Sequence, residues 1–159
     1  MARNAPSLAN DQPWRFHVVR AAARRQQIAA LYRGRGRDAI LGAPAVVILC
    51  RLERSRRLDQ PWHPPEELCK AYIENTGTRS FDFFEEVGMA GGLFLAALRQ
   101  WELDSFVFET RGHASLRRIL ELEPEATPFV GLCVGYRAPE QRFGVTALKK
   151  PLELVARFD

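Results

Sequence analysis

Arg15-Phe16-His17-Val18-Val19-Arg20 alternates polar and apolar positions, the two-residue period of a half-buried strand. Residues 21–32 then change to helical spacing. Ala22, Ile28, Ala29, Leu31 and Tyr32 stand among Arg24, Arg25, Gln26 and Gln27, which predicts a short amphipathic helix with a basic outer face. Arg33-Gly34-Arg35-Gly36-Arg37 follows, and its two glycines predict an exposed loop. Pro44 to Cys50 is continuously apolar and rich in β-branched residues, the pattern of a central strand covered on both faces. From Arg51 to Arg79 the chain is polar, and Gln60-Pro61-Trp62-His63-Pro64-Pro65 announces a helix over 66–74 that Asn75-Thr76-Gly77 ends. A segment of this length between core elements has the character of a lid. Trp62 and His63 are its candidate ligand contacts, although packing or exposure is the simpler use of each.

The longest helical pattern runs from Ser80, a possible cap, to Trp101. Asp82, Glu85 and Glu86 suit its amino end, and Phe83, Val87, Ala90, Phe94, Ala97 and Trp101 recur at helical spacing. Between Val87 and Leu98 this helix is apolar nearly all round, so it is expected to be buried on almost every side. Gly91-Gly92, costly inside a helix, points to close approach by another helix. A small domain seldom surrounds a helix completely, and a second copy of the chain would finish the burial. A strand over 105–108, a turn over 109–112, a helix over 114–122, a strand over 129–136 and a tail with Lys149-Lys150-Pro151-Leu152-Glu153 complete the pattern.

Composition narrows the class. With 159 residues, 47% hydrophobic and 10% aromatic, the chain has material for one domain with one core, spanning 1–159. Its longest apolar run falls short of the roughly 20 residues that span a bilayer, and no signal-peptide pattern opens it, so a cytoplasmic protein without membrane attachment is expected. Cys50, Cys69 and Cys133 are widely spaced and odd in number, which favours buried free thiols. The net charge of +4 comes mostly from arginine and favours anionic ligands. Nucleic acid is not the expected partner, because the Arg33 to Arg37 cluster is short and has no interleaved aromatic residues.

Most familiar chemistry is absent. No serine lies in a G-x-S-x-G elbow, the three histidines have no metal-ligand spacing, and the glycines at 34 and 36 lack both a leading strand and a third glycine. An enzyme of this composition would borrow its chemistry from a cofactor. The stretch best suited to hold one is Ala5 to Phe16. Pro6 and Pro13 fix the backbone there, and Ser7, Asn10, Asp11 and Gln12 offer donors and acceptors immediately before the first strand.

That stretch, Ala5-Pro6-Ser7, Asn10, Gln12-Pro13-Trp14 and Phe16, resembles the A-P-S-x-x-N-x-Q-P-W-x-F signature of the nitroreductase family of flavin mononucleotide (FMN) enzymes. Looser matches follow in order: Ala43-Pro44, the apolar helix, Leu103-Asp104 leading to a strand that ends in Glu109, Val134-Gly135-Tyr136, and the basic tail. The resemblance implies an α+β fold with a mixed, largely antiparallel sheet flanked by helices. It also implies a homodimer with a long buried central helix at its interface and FMN bound there. By matching position, Pro6, Ser7 and Asn10 would meet the flavin and Gln12 with Trp14 would brace their loop. Glu109 and the N–H of Thr110, where the family often has glycine, would lie by the ring near N5. Lys149 or Lys150 would meet the phosphate, and Trp62 and His63 are the candidate substrate contacts. The implied activity is oxidation of NAD(P)H with transfer of electrons to a nitroaromatic, a quinone or a related small acceptor. The family's upstream helix and Arg-x-Ser-x-Arg phosphate clamp have no counterpart in these residues, which keeps a second reading open: a flavin-poor or non-catalytic scaffold or partner subunit.

Overall fold

A computed structural model describes residues 1–7, 12–52, 84–138 and 149–157. Among them are a four-stranded sheet and four α-helices: β1 (Trp14–Val19), α1 (Ala22–Ala29), α2 (Gly34–Gly42), β2 (Ala45–Leu52), α3 (Phe84–Gln100), β3 (Asp104–Glu109), α4 (His113–Leu120) and β4 (Ala126–Gly135). Short 3-10 turns occupy Ala2–Asn4 and Leu152–Leu154. The fold is α+β, as the resemblance implied.

The sheet order is β1-β2-β4-β3, and all three pairings are antiparallel. β2 therefore lies inside the sheet, as its unbroken apolar run requires. Val46, Ile48 and Cys50 face one side with Leu52, packing with Ile28 and Ala29 of α1, Ile40 of α2, and Leu116 and Leu120 of α4. Val47 and Leu49 face the other side, toward α3. The sheet is thus a middle layer, with α1, α2 and α4 on one face and α3 on the other. Pairing of Leu49 with Val130 and of Cys50 with Pro128 leaves Phe129 as an extra residue in β4. A bulge at this point suits Pro128, which has no N–H to give to a ladder.

Three expectations change. The Arg-Gly run is not a loop: α2 begins at Gly34, which has φ +54°, and includes Gly36. Both glycines fall in its first turn, and burial of Ile40 supplies the tertiary contact that overrides their weak propensity. The central helix is not covered on almost every side by its own chain. Val87, Ala90, Gly91 and Leu98 are buried, while Gly88, Met89, Gly92 and Ala96 are exposed, and Trp101 lies past the helix end, 77% exposed. Finally, the close approach at Gly91 comes from the sheet. A Cβ there would lie 3.1 Å from Cδ2 of Leu49, whereas one at Gly92 would meet nothing within 4 Å. The predicted cap at Ser80, the helix over 66–74 and Cys69 lie outside the described residues. Cys50 and Cys133 are buried free thiols, and burial pushes each up to about 12, so neither supplies a thiolate at neutral pH. Among the described residues no helix is long and apolar enough to cross a membrane.

Candidate functional site

The antiparallel register gathers four strand ends at one end of the sheet. β1 begins there at Trp14, opposite Arg51 near the end of β2; β4 begins there; and β3 finishes there with Glu109 opposite Val130. The proline-bounded loop before β1 and the turn after β3 therefore occupy the same end. The strands that bear them, β1 and β3, are the opposite edges of the described sheet. Two strands lie between them, so at an inter-strand spacing of ~4.8 Å the edges are roughly 14 Å apart.

The loop before β1 is held from both sides. Gln12 donates its backbone N–H to Oγ of Ser7 at 2.9 Å, tying the two described ends of this stretch together. Trp14 N–H reaches the Gln12 carbonyl at 2.8 Å, and Leu52 N–H reaches the Pro13 carbonyl at 3.0 Å, tying the loop exit to β2. Gln12 has φ +49°, a left-handed conformation unfavourable for a residue with a Cβ. Burial anchors these constraints: Ala5 and Trp14 pack with Leu49, Val87 and Ala90, while Pro13 is fully buried. Pro6 remains exposed and Ser7 half-exposed beside that anchor. Asn10, expected as a flavin contact, lies outside the described residues, as do Trp62 and His63.

The turn after β3 is held as firmly. Thr110 is buried, and its hydroxyl lies 3.3 Å from the Pro128 carbonyl and 3.2 Å from the Phe129 carbonyl, the two residues at the β4 bulge. His113 Nε2 lies 3.2 Å from the same oxygen. The hydroxyl has one hydrogen to give to a carbonyl and a lone pair to accept from His113 when the imidazole proton is on Nε2. Arg111 donates its backbone N–H to the Tyr32 hydroxyl at 3.0 Å. The Tyr32 ring in turn meets Phe108 edge-on, at 5.2 Å between centroids. Burial pushes the Tyr32 hydroxyl up, against the opposing effect of the Arg111 amide, so it stays protonated. Glu109 is exposed, and among the described residues its ion pair is an open one with Arg111 at 3.4 Å.

Of the expected site residues, the structure thus brings Pro6, Ser7, Gln12, Glu109 and Thr110 to one end of the sheet. Lys149 and Lys150 are exposed just before the 3-10 turn at Leu152–Leu154. Tyr32 and His113 were not anticipated in the 109–112 turn. The one available signal was Tyr32 itself, since a tyrosine at the end of an apolar stripe needs a partner for its hydroxyl. His113 gave no such signal, because its partner is defined only when α4 starts beside Thr110.

Residues 1–136 match the nitroreductase family. The chain belongs to that family, a family of oxidoreductases. Solved structures of the same fold include a nitroreductase family protein from Streptococcus pneumoniae TIGR4, with TM-score 0.78 and 20% identity over 99% of this chain and 84% of that one. A nitroreductase-like protein from Streptococcus mutans gives 0.66 and 19% over 94% and 82%. A protein from Staphylococcus epidermidis assigned as an NAD(P)H:FMN oxidoreductase gives 0.75 and 14% over 99% and 80%. At these identities the likeness concerns the fold. No curated protein matches. The match to the family covers both the stretch before β1 and the turn after β3.

Proposed function

We propose that residues 1–159 form one nitroreductase-like domain that works as an FMN-dependent NAD(P)H oxidoreductase, a cytoplasmic homodimer that reduces a nitroaromatic, a quinone or a related small acceptor. The observation that carries this reading is the pairing of two braced segments, Ala5 to Trp14 and Glu109 to Gly112, at one end of the sheet. The residues present fit the cofactor by the chemistry of their groups. Ser7 accepts from Gln12 N–H and keeps its own hydroxyl hydrogen to donate. The 110 amide follows a side chain locked to β4, so its direction is fixed before any ligand arrives. Lys149 and Lys150 are exposed cations suited to a phosphate.

When bound, FMN supplies two-electron acceptance from NAD(P)H and onward transfer to the acceptor. The chain's own part is to bind and orient. Ser7, with Pro6 and Asn10, would hold the ring's polar edge; Gln12 would keep that loop in register; the Glu109–Thr110 peptide would offer an N–H near N5; and a lysine of the tail would neutralise the phosphate. The exposed positions Gly88, Met89, Gly92 and Ala96 on α3 support a site completed by a second subunit, with the open face of α3 as the surface between them. The fold of the Staphylococcus epidermidis protein, assigned the same type of activity, adds support.

The test is to purify the chain with added FMN and follow absorbance near the flavin bands while adding NADH or NADPH. A yellow protein that NAD(P)H bleaches and that an acceptor re-oxidises is the expected result. Colourless protein with no response to FMN in titration would overturn the enzyme reading and leave the scaffold reading.

A further inference from the structure

On the sheet face away from α3, a groove of about 550 Å³ runs between α1 and α4. Leu31, Ala30 and Ile119 give it an apolar lining, and Arg24, Gln27, Ser115 and Arg118 give it donors. None of the residues proposed for the flavin lines it, so a ligand held here is independent of the proposed function. Its size lies within the range of small-molecule sites, roughly 300–1,000 Å³.

The charges decide what could enter. Arg118 is exposed and its guanidinium has no partner among the described residues. Arg24 does have one, Glu121 at 2.9 Å, but both side chains are largely open to solvent, at 42% and 76%. An exposed pair of this kind holds weakly, and Arg24 can turn to another anion at little cost. A smaller crease of about 260 Å³ adjoins at Arg24 and adds Arg20, likewise exposed. The groove's lining carries two guanidinium groups against one carboxylate, and Arg20 in the adjoining crease adds a third cation beside it, so the region is positive. Guanidinium forks match a planar carboxylate or a sulfonate, and the apolar lining offers contact to a carbon body that a bare inorganic ion does not have.

We infer that the groove between α1 and α4 is a binding site for a small organic anion, a carboxylate or sulfonate on an aromatic or branched aliphatic body, with Arg118 and Arg24 taking the charge and Leu31 and Ile119 the body. The site is separate from the flavin end of the sheet and takes its ligand whether or not flavin is bound.

The experiment is a titration of the ¹⁵N-labelled full chain by NMR, with naphthalene-1-carboxylate as the probe and neutral naphthalene-1-carboxamide and inorganic phosphate as comparisons, each with and without saturating FMN. Expected are saturable amide shifts concentrated at Gln27, Leu31, Ser115 and Ile119, at least fivefold weaker binding of the carboxamide and of phosphate, and at least tenfold weaker binding of the carboxylate to Arg118→Gln. Arg33→Gln, outside the groove, keeps wild-type affinity. Arg118 is exposed, so its replacement leaves the fold intact, and the amide spectrum of the free variant checks this directly. Shifts centred on other segments, equal binding of the carboxamide or of phosphate, unchanged affinity in Arg118→Gln, or competition by FMN would each overturn the assignment.

Discussion

The Phe108 ring lies across Gly131 of the neighbouring strand, so close that a Cβ on Gly131 would stand 2.2 Å from Cε2 and Cζ of the ring. The two residues are direct partners in the β3–β4 register. Glycine is required here by space, because the ring occupies the volume a side chain would fill. In Gly131→Ala the ring must leave its edge-on contact with Tyr32, and Tyr32 carries the Arg111 amide. The expected loss is about 2 kcal/mol, in the usual range for an overfilled core. It corresponds to roughly 4–8 °C in Tm for a chain of this size. Phe108→Leu in the same chain recovers part of it, so a double-mutant cycle by thermal unfolding shows a favourable coupling between the two changes.

Thr110→Val keeps the shape and removes the hydroxyl that joins the β4 bulge to His113. Two carbonyls lose a donor and His113 Nε2 loses an acceptor. A cost of about 1–3 kcal/mol is expected, chiefly from the buried Pro128 carbonyl that loses a donor. Thr110→Ser retains the hydroxyl and loses only a methyl group, so it stays within about 1 kcal/mol of wild type. Urea unfolding separates the two. If the Glu109–Thr110 peptide orients the flavin, FMN affinity measured by fluorescence quenching follows the same order, wild type and Ser above Val.

The periodicity of residues 15–20, 44–50 and 129–136 located three strands because alternation and unbroken apolar runs report burial directly, and β2 is the clearest case. The Arg33 to Arg37 run misled for the opposite reason: glycine content reports local cost, whereas α2 is held by Ile40, a contact with distant elements. Gly91 carried a true signal of close approach, but the sequence does not say whether the neighbour is a strand or a helix, and it is Leu49 of β2. At the site, Ser7 and Gln12 were legible because both lie in one proline-bounded loop. Thr110 was legible as a position but not as a clamp, since its partners at 128 and 129 depend on a bulge that only the folded register creates.

Gly88 and Gly92 lie on the exposed face of α3, where an added Cβ would meet nothing within 4 Å. Replacing either by alanine removes backbone freedom from a helix interior, and the isolated chain is expected to gain about 0.8–1 kcal/mol from each. Bulk on the same face acts differently if it is the contact between two subunits. Gly92→Leu is expected to weaken association at least tenfold in sedimentation while leaving the far-UV spectrum of the chain unchanged. Equal sedimentation of wild type and Gly92→Leu would remove this face from the dimer contact.

His17 gives the chain a pH dependence whose sign follows from burial. Its ring sits in β1 with Nε2 buried and without a hydrogen-bond partner among the described residues. Burial holds its pKa below the ordinary 6.5; Glu123 opposes that shift and Arg15 adds to it. Well above pH 6.5 both folded and unfolded chains carry a neutral imidazole, and His17 contributes no slope. As pH falls through 6.5 the unfolded chain takes up a proton that the folded chain refuses, so stability drops, and the slope dies away only once the pH is well below the lowered folded-state pKa. The slope cannot exceed about 1.4 kcal/mol per pH unit for one group, and a half-buried ring gives less. Urea midpoints at about pH 7.5 and about pH 5.5 should therefore differ more in wild type than in His17→Gln, whose side chain does not titrate. The difference between the two chains thus isolates the imidazole.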